Sequence, residues 1–106
     1  MGRAGLGLLG QKIMRVYLAG PMTNMADFNR TAFAAAAQKL RLEGHAVFNP
    51  AAANQEGRSL SQIMAHVIPQ LCDSKAIALL PGWRRSGGAR IEFLLAKYIG
   101  LEVIFL

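Results

Sequence analysis

One short segment of this sequence, residues 81–92 (PGWRRSGGARIE), concentrates groups that can do chemistry. Ser86 offers a hydroxyl, and Gly87 and Gly88 let backbone N–H groups come close to a ligand. If a helix begins here, its N-terminus adds positive dipole to these donors. The segment therefore predicts an anion site of the kind that holds a phosphate, and a glycine turn with solvated arginines is the alternative.

The same segment is rich in charge. Arg84, Arg85 and Arg90 offer charge-assisted hydrogen bonds to a bound anion. Glu92 follows about one turn into the expected helix, where a carboxylate is usually exposed to solvent. Its position beside an anion site makes it a candidate catalytic group. A binding site and a reactive carboxylate are therefore expected side by side.

A second unusual loop, residues 20–27 (GPMTNMAD), combines glycine, proline and polar residues in the same way. Each loop follows a short apolar segment typical of a buried strand, at residues 13–19 and 75–80. In open parallel sheets, ligands bind beyond the carboxyl ends of the strands, where the strand order reverses. A strand order of 2-1-3-4 would bring both loops to one crevice.

The remaining pattern predicts alternating strands and helices. The strands are expected at residues 13–19, 46–48, 75–80 and 103–106. The helices are expected from a cap at Asp27 to about Glu43, from a cap at Ser59 to about Cys72, and from Ser86 or Gly87 to Gly100. Pro69 should kink or shorten the last turn of the second helix. This order predicts a flavodoxin- or Rossmann-like α/β sandwich of three layers, with a parallel sheet of four or five strands.

Composition indicates a single domain at residues 13–106. The chain has 106 residues, 53% of them hydrophobic, which is enough for a core without metal or disulfide support. Residues 1–12 are expected to be a disordered extension or a start-site error, because Met14 begins a better-formed domain. The lone Cys72 fits a reducing compartment, hence the cytoplasm, and is expected to be a buried, inert thiol. No apolar stretch reaches the roughly 20 residues of a membrane span.

Several other features of the sequence suggest functions that their context does not support. Residues 5–10 spell GxGxxG but precede the first strand, so the dinucleotide-binding mechanism fails. His45 and His66 lack partners at metal-ligand spacing, so we expect neither a metal nor a cofactor. Asp73 should face the opposite end of the sheet from the crevice. The net charge of +6 invites a nucleic-acid partner, but the arginines cluster locally, so we do not expect one.

Three segments carry a resemblance to known proteins: VYLAGPMT, FNPA and LPGWRRSGGARIEFLLAKYIG. They resemble a group of small, often phage-encoded domains, which looks like a branch of the nucleoside 2-deoxyribosyltransferase and deoxynucleoside-monophosphate N-glycosidase superfamily. The resemblance covers about residues 14–106. It implies an N-glycosidase or 2-deoxyribosyltransferase that acts on a nucleoside or nucleoside monophosphate. It also implies a homo-oligomer, a dimer or larger.

The resemblance assigns roles to individual residues. Glu92 matches the nucleophile that attacks the anomeric carbon of the sugar, and Tyr17 matches a tyrosine near that carboxylate. Ser86 matches a serine that contacts the 5′-phosphate. Trp83 is expected either to stack on the base or to pack on the rim of the domain. Further ligand contacts are expected at Gly20, Pro21, Met22, Asn49, Arg84, Arg85, Gly87 and Gly88.

Two positions depart from the pattern. The enzymes carry an aspartate, which helps to protonate the leaving base, where this chain has Ala65. Gln62, one turn nearer the crevice, is a better partial replacement than His66, which points about 100° away. Arg90 stands where some family members have glycine and would crowd the sugar.

The departures leave rival interpretations open. The chain could be a nucleotide or phosphosugar sensor that kept the binding site and lost the chemistry. A riboside-monophosphate phosphohydrolase of the cytokinin-activating type is a second rival, because its glycine-rich loop and glutamate look loosely like residues 88–92. A DNA-associated phage accessory protein is a third, which rests on net charge alone.

Overall fold

The computed structural model describes residues 13–53 and 56–106. Four strands form one fully parallel sheet: β1 (Arg15–Ala19), β2 (Ala46–Phe48), β3 (Ala76–Leu79) and β4 (Glu102–Phe105). Three helices connect them: α1 (Arg30–Leu42), α2 (Leu60–Cys72) and α3 (Gly87–Ile99). The strand order is β2-β1-β3-β4, which confirms the predicted α/β sandwich and its reversal between β1 and β3. The expectation for residues 1–12 lies outside the described residues.

The central strands send alternate side chains to opposite faces of the sheet, as strand geometry requires. Val16 and Leu18 of β1 join the core cluster that contains the buried side chains of α1. Tyr17 and Ala19 join the cluster that contains the buried side chains of α2 and α3. One helix therefore covers one face and two cover the other, and Tyr17 points toward the pair.

The first helix starts later than predicted. Asp27, Phe28 and Asn29 all adopt left-handed backbone angles, with φ between 50° and 60°. A left-handed turn cannot continue into a right-handed helix, so α1 begins at Arg30 and Asp27 does not cap it. The helix buries Phe33, Ala37 and Leu40, whereas Phe28, which precedes it, is exposed.

The second helix begins as predicted. The Ser59 hydroxyl accepts a hydrogen bond from the Gln62 N–H, and the Gln62 side chain accepts one from the Ser59 N–H, which makes a capping box. The predicted shortening at Pro69 is wrong, because α2 continues to Cys72. Pro69 has no N–H to donate to the Ala65 carbonyl one turn earlier in the helix. Both residues are exposed, so water can satisfy that carbonyl. Cys72 is exposed as well, contrary to expectation, because α2 turns Val67 and Leu71 inward.

The third helix places Glu92 inside the domain. It begins at a Ser86 cap and ends at Gly100, whose φ of 87° only glycine adopts freely, as predicted. The residues it buries are Ala89, Glu92 and Ala96, at the helical spacing of one face. Glu92 therefore lies on the same stripe as two small core alanines and points at the sheet, where Tyr17 lies.

The opposite end of the sheet is held by structural contacts. Asp73 ends α2 and lies 3.6 Å from an Arg15 guanidinium nitrogen, in the position predicted for it. His45 is buried, and its Nδ1 accepts a hydrogen bond from the Met14 N–H at 3.0 Å. Within the described ranges, no cluster of three or more histidine, cysteine or acidic side chains could hold a metal ion.

Candidate active site

The loops that leave β1 and β3 meet above the point where the strand order reverses. A Cβ added to Gly20 would lie 2.8 Å from the Cβ of Leu80, so only glycine allows this approach. A Cβ on Gly82 would lie 3.5 Å from the ring of Pro21. The two unusual loops of the sequence are therefore neighbours, and their contact forms the edge of a cleft.

We name two connected hollows at this edge. The inner cleft has a cavity volume of about 110 Å³, with Glu92, Ser86 and Thr23 as its polar side chains among the described residues. Its apolar walls come from Met22, Phe33, Leu60, Ile63, Met64 and Val67, together with smaller residues. The outer groove is wider and includes Pro21, Arg85 and Gly87. Met22, Thr23, Leu60, Ser86 and Gly88 line both hollows. The inner cleft therefore offers apolar surface around a carboxylate, and the outer groove offers charge.

A buried pair of side chains lies at the floor of the inner cleft. The Tyr17 hydroxyl donates a hydrogen bond to Glu92 Oε2 at 2.8 Å. Tyr17 is fully buried, and 8% of Glu92 is exposed. The ring of Phe48 stacks on Tyr17 with its centroid 5.5 Å away. This packing fixes the tyrosine against the carboxylate and leaves the exposed part of Glu92 facing the cleft.

Burial sets the protonation of this pair. It raises the pKa of Glu92 to about 7, although the hydrogen bond from Tyr17 lowers it. Burial also raises the pKa of Tyr17 above its usual range, and the neighbouring Glu92 charge adds to the effect. Near neutral pH, Tyr17 is therefore a permanent donor, and Glu92 is present in both ionised and protonated forms. A carboxylate with that pKa is suited to acid, base or nucleophilic chemistry.

The N-terminus of α3 lies beside this pair. The Ser86 hydroxyl accepts a hydrogen bond from the Ala89 N–H at 3.1 Å, so it caps the helix and keeps its own proton to donate. The N–H groups of a helix's first turn have no acceptor within the helix, and the helix dipole favours an anion there. Ser86, Gly87, Gly88 and Arg85 all face the outer groove. This arrangement suits a phosphate.

The match to known protein families covers the same region. The family model described as a domain of unknown function (DUF4406) matches residues 14–105. The chain belongs to the DUF4406 family. A comparison with curated proteins finds no match. Since the family's function is unknown, the match by itself assigns no role to any residue of this DUF4406 chain.

Trp83 and Arg84 point away from both hollows. Trp83 is 9% exposed, and its ring packs against Phe93 at 4.7 Å and Phe105 at 6.3 Å between centroids. The Arg84 guanidinium lies over the Trp83 ring at 4.7 Å, a cation–π contact. Trp83 is thus a packing residue of the domain, the second of the two roles expected for it. Arg90 is exposed and is absent from the described lining of either hollow.

Asn49 also lies outside the described lining of both hollows. Its side chain accepts a hydrogen bond from the Ala51 N–H at 2.9 Å and caps a short 3₁₀ turn, Pro50–Ala52. Pro50, the next residue, does line the inner cleft. Asn49 therefore holds the turn that places Pro50 in the cleft wall, and its own side chain does not face the space where a ligand would bind.

The position of the missing aspartate is also outside the described cleft lining. Ala65 and His66 are exposed, and Gln62 is engaged in the capping box of α2. Gln62 therefore does not face the cleft in place of the aspartate. Met64, the neighbour of Ala65, lines the cleft instead. The residues that α2 contributes are thus apolar.

Sequence reasoning missed these cleft residues of α2. Leu60, Ile63, Met64 and Val67 line the inner cleft and follow the i, i+3, i+4, i+7 spacing of one helix face. That spacing is also the signature of a core-facing stripe, so it cannot by itself distinguish a cleft wall from packing. Leu60 gave the one usable signal in the sequence, because it is a large apolar residue directly after a capping serine. In the structure it is 74% exposed.

Proposed function

We propose that this chain cleaves or transfers the N-glycosidic bond of a nucleoside or nucleoside monophosphate, as an N-glycosidase or a 2-deoxyribosyltransferase, with Glu92 as the nucleophile. The observation that carries the proposal is the buried Glu92 carboxylate, held by Tyr17 at the floor of a cleft beside a helix N-terminus. The resemblance of the sequence to the deoxyribosyltransferase superfamily supports the same assignment.

The reaction proceeds in two displacements. An ionised Glu92 oxygen attacks the anomeric carbon, and the electron pair of the carbon–nitrogen bond leaves with the base. Water, or a second base in the transferase reaction, then attacks the same carbon and releases the carboxylate. The negative charge of Glu92 stabilises the positive character of the sugar in both transition states. Tyr17 keeps its proton, orients the carboxylate and disfavours its protonated form.

The outer groove supplies the phosphate site of this proposal. Arg85 lines it together with the Ser86 hydroxyl and the first turn of α3. An arginine and a hydroxyl at a helix N-terminus form a common anion-binding combination. Because the two hollows share Ser86 and Gly88, a 5′-phosphate in the groove leaves its sugar near the cleft. Monophosphates are therefore the preferred substrates.

We also propose that the protein is a homo-oligomer, a dimer or larger. Ile91, Leu94 and Tyr98 are 57%, 64% and 89% exposed and follow the i, i+3, i+7 spacing of one face of α3. Contiguous exposed apolar surface of this kind marks an interaction site. Light scattering after size exclusion tests this, and Leu94→Lys should reduce the measured mass of the oligomer.

The exposed Cys72 thiol agrees with a reducing cytoplasm, which we propose as the location of the protein.

Base release from a panel of deoxynucleosides and their monophosphates tests the proposal. Purified protein should release free base, and Glu92→Gln should abolish the release. Glu102→Gln, which changes an exposed glutamate on β4, is the matched control and should keep full activity. Release that persists in Glu92→Gln would contradict the assignment of the nucleophile.

A ligand-binding protein without turnover is the second candidate. The enzymes that the sequence resembles carry an aspartate where this chain has Ala65, and this replacement favours the binding protein. Without that aspartate, the described cleft relies on Glu92 alone for acid–base chemistry. Under this alternative, a monophosphate raises the melting temperature of wild type and of Glu92→Gln equally, and neither protein releases base. Base release by wild type rejects it.

A further inference from the structure

The walls of the inner cleft restrict how a leaving group can depart, if the proposed function holds. Apart from Glu92, the polar side chains of its described lining are the hydroxyls of Thr23 and Ser86. The other large side chains are hydrocarbon or thioether, and Met22 and Met64 supply the two sulfur atoms. A leaving group in this cleft therefore lies against apolar groups and aliphatic hydroxyls.

Neither kind of group transfers a proton near neutral pH. An effective general acid has a pKa near the working pH, and aliphatic hydroxyls lie far above it. The Ser86 hydroxyl accepts from the Ala89 N–H at 3.1 Å, and its own proton can form a hydrogen bond but is too weakly acidic to be transferred. Glu92 must be ionised to attack the sugar, so it cannot protonate the base in the same step. Its partner Tyr17 donates to Glu92 and is fully buried below the cleft.

We infer that the cleft selects N-glycosides whose base leaves as a stabilised anion, without a proton from the protein. The substrate class is therefore a deoxynucleoside monophosphate with an acidic, electron-poor base, such as a uracil with an electron-withdrawing group at C5. The apolar walls contact the faces of the base through dispersion. This inference rests on the proposed function and concerns the leaving group alone.

The first step balances without an acid. A Glu92 oxygen forms a bond to the anomeric carbon as the bond to the base nitrogen breaks, and the base takes both electrons. Leu60 at the mouth is 74% exposed, so the anion meets solvent there and takes its proton from water. The hydroxide left behind, or a second water, then attacks the anomeric carbon and breaks the ester. The net reaction consumes one water and yields the free sugar phosphate and the neutral base.

The experiment compares three substrates of nearly equal size with wild-type protein: thymidine 5′-monophosphate, deoxyuridine 5′-monophosphate and 5-fluorodeoxyuridine 5′-monophosphate. The leaving base becomes more acidic along this series. We expect kcat/KM to rise by about tenfold for each unit by which the pKa of the base falls, because little else stabilises the departing charge.

A matched pair of variants examines the wall itself. Met64→Glu places a carboxylic acid in the same cleft as Glu92, and should flatten the dependence on the leaving group by protonating the base. Met64→Gln has the same size and cannot act as an acid, so it should keep the steep dependence of wild type. Circular dichroism shows whether both variants fold, and the wild-type series stands without them.

The outcomes separate the two proposals. Base release at equal rates from all three monophosphates, or a reversed order, overturns this inference and leaves the proposed function intact. No release even from the 5-fluoro substrate overturns the proposed function, and the inference falls with it. A steep rise along the series supports both.

Discussion

Tyr17→Phe is the sharpest test of how the buried pair works. The substitution removes one hydroxyl and keeps the ring, so the stacking on Phe48 at 5.5 Å between centroids should survive. The lost interaction is a 2.8 Å hydrogen bond to Glu92, which lowers the pKa of that carboxyl against the effect of burial. Without the hydroxyl, burial acts alone, so Glu92 should ionise only at higher pH.

The size of the change follows from the strength of the bond. A hydrogen bond to a charged group contributes about 1.5–3 kcal/mol, and each pH unit corresponds to about 1.4 kcal/mol. Because Glu92 must be ionised to attack, activity in wild type should rise with pH through about 7, the pKa that burial gives this carboxyl. In Tyr17→Phe the same rise should move up by roughly one to two pH units.

The assay is kcat/KM for base release between pH 5 and 10. At pH 7, where wild type is about half ionised, the variant should be about fivefold to fiftyfold slower, and above pH 9 much of the difference should disappear. Tyr98→Phe is the matched control, since it removes the same hydroxyl from the outer face of α3 and leaves the Tyr17–Glu92 hydrogen bond in place. An unchanged pH profile in Tyr17→Phe, or an equal shift in Tyr98→Phe, would refute the reasoning.

Three further predictions follow from single contacts. Because the folded-state pKa of Glu92 is raised from 4.5 to about 7, its stabilising proton is bound below pH 4.5 and lost as pH rises through 7. Chemical denaturation should therefore show wild type losing up to about 3 kcal/mol between pH 4 and 8, and Glu92→Gln losing much less. Ser86→Ala and Ser59→Ala each remove a helix cap and should cost about 1 kcal/mol, but only Ser86→Ala should weaken monophosphate binding in calorimetry. Gly20→Ala should destabilise by about 1–3 kcal/mol, because its Cβ meets Leu80 at 2.8 Å, whereas Gly87→Ala, with open space around it, should melt near the wild-type temperature.

The fold was predictable because its signals are local and repeated. Short apolar runs that end in Gly20-Pro21 and Pro81-Gly82 are typical of buried parallel strands, and their spacing leaves room for a helix between them. Caps were predictable at Ser59, Ser86 and Gly100, since each needs one side chain or one glycine conformation. Such features depend on neighbours in sequence, so the sequence alone can show them.

The start of α1 could not be predicted in this way. Asp27 has the chemistry of a cap, but Asp27, Phe28 and Asn29 form a left-handed turn. The Asn29 amide donates to the Pro21 carbonyl at 3.0 Å, and Asp27 pairs with Arg30 at 2.7 Å. The first of these contacts folds the segment between β1 and α1 back on itself, and this loop conformation replaces the cap that Asp27 alone would favour.

The sequence predicted only some of the residues that line the candidate site. Gly20, Pro21, Met22, Arg85 and Ser86 line the hollows because the strand order alone brings their loops together. Asn49, Trp83 and Arg84 turn away, because a cap, an aromatic cluster and a cation–π contact engage them. Trp83 turns toward Phe93 and Phe105, which only the fold brings near it. Asn49 and Arg84 make contacts with close neighbours in sequence, and residue spacing does not distinguish such contacts from contacts with a ligand.

The burial of Glu92 is the feature that most favours a functional site over a structural one. The rise of its pKa from 4.5 to about 7 means that keeping it ionised in the folded state costs about 3 kcal/mol. A domain of this size has a total stability of about 5–15 kcal/mol, so this is a large fraction. An apolar residue on the α3 stripe, between Ala89 and Ala96, would avoid that cost. A costly carboxylate that is hydrogen-bonded to a buried tyrosine and open to a cleft is better explained by chemistry performed there than by packing.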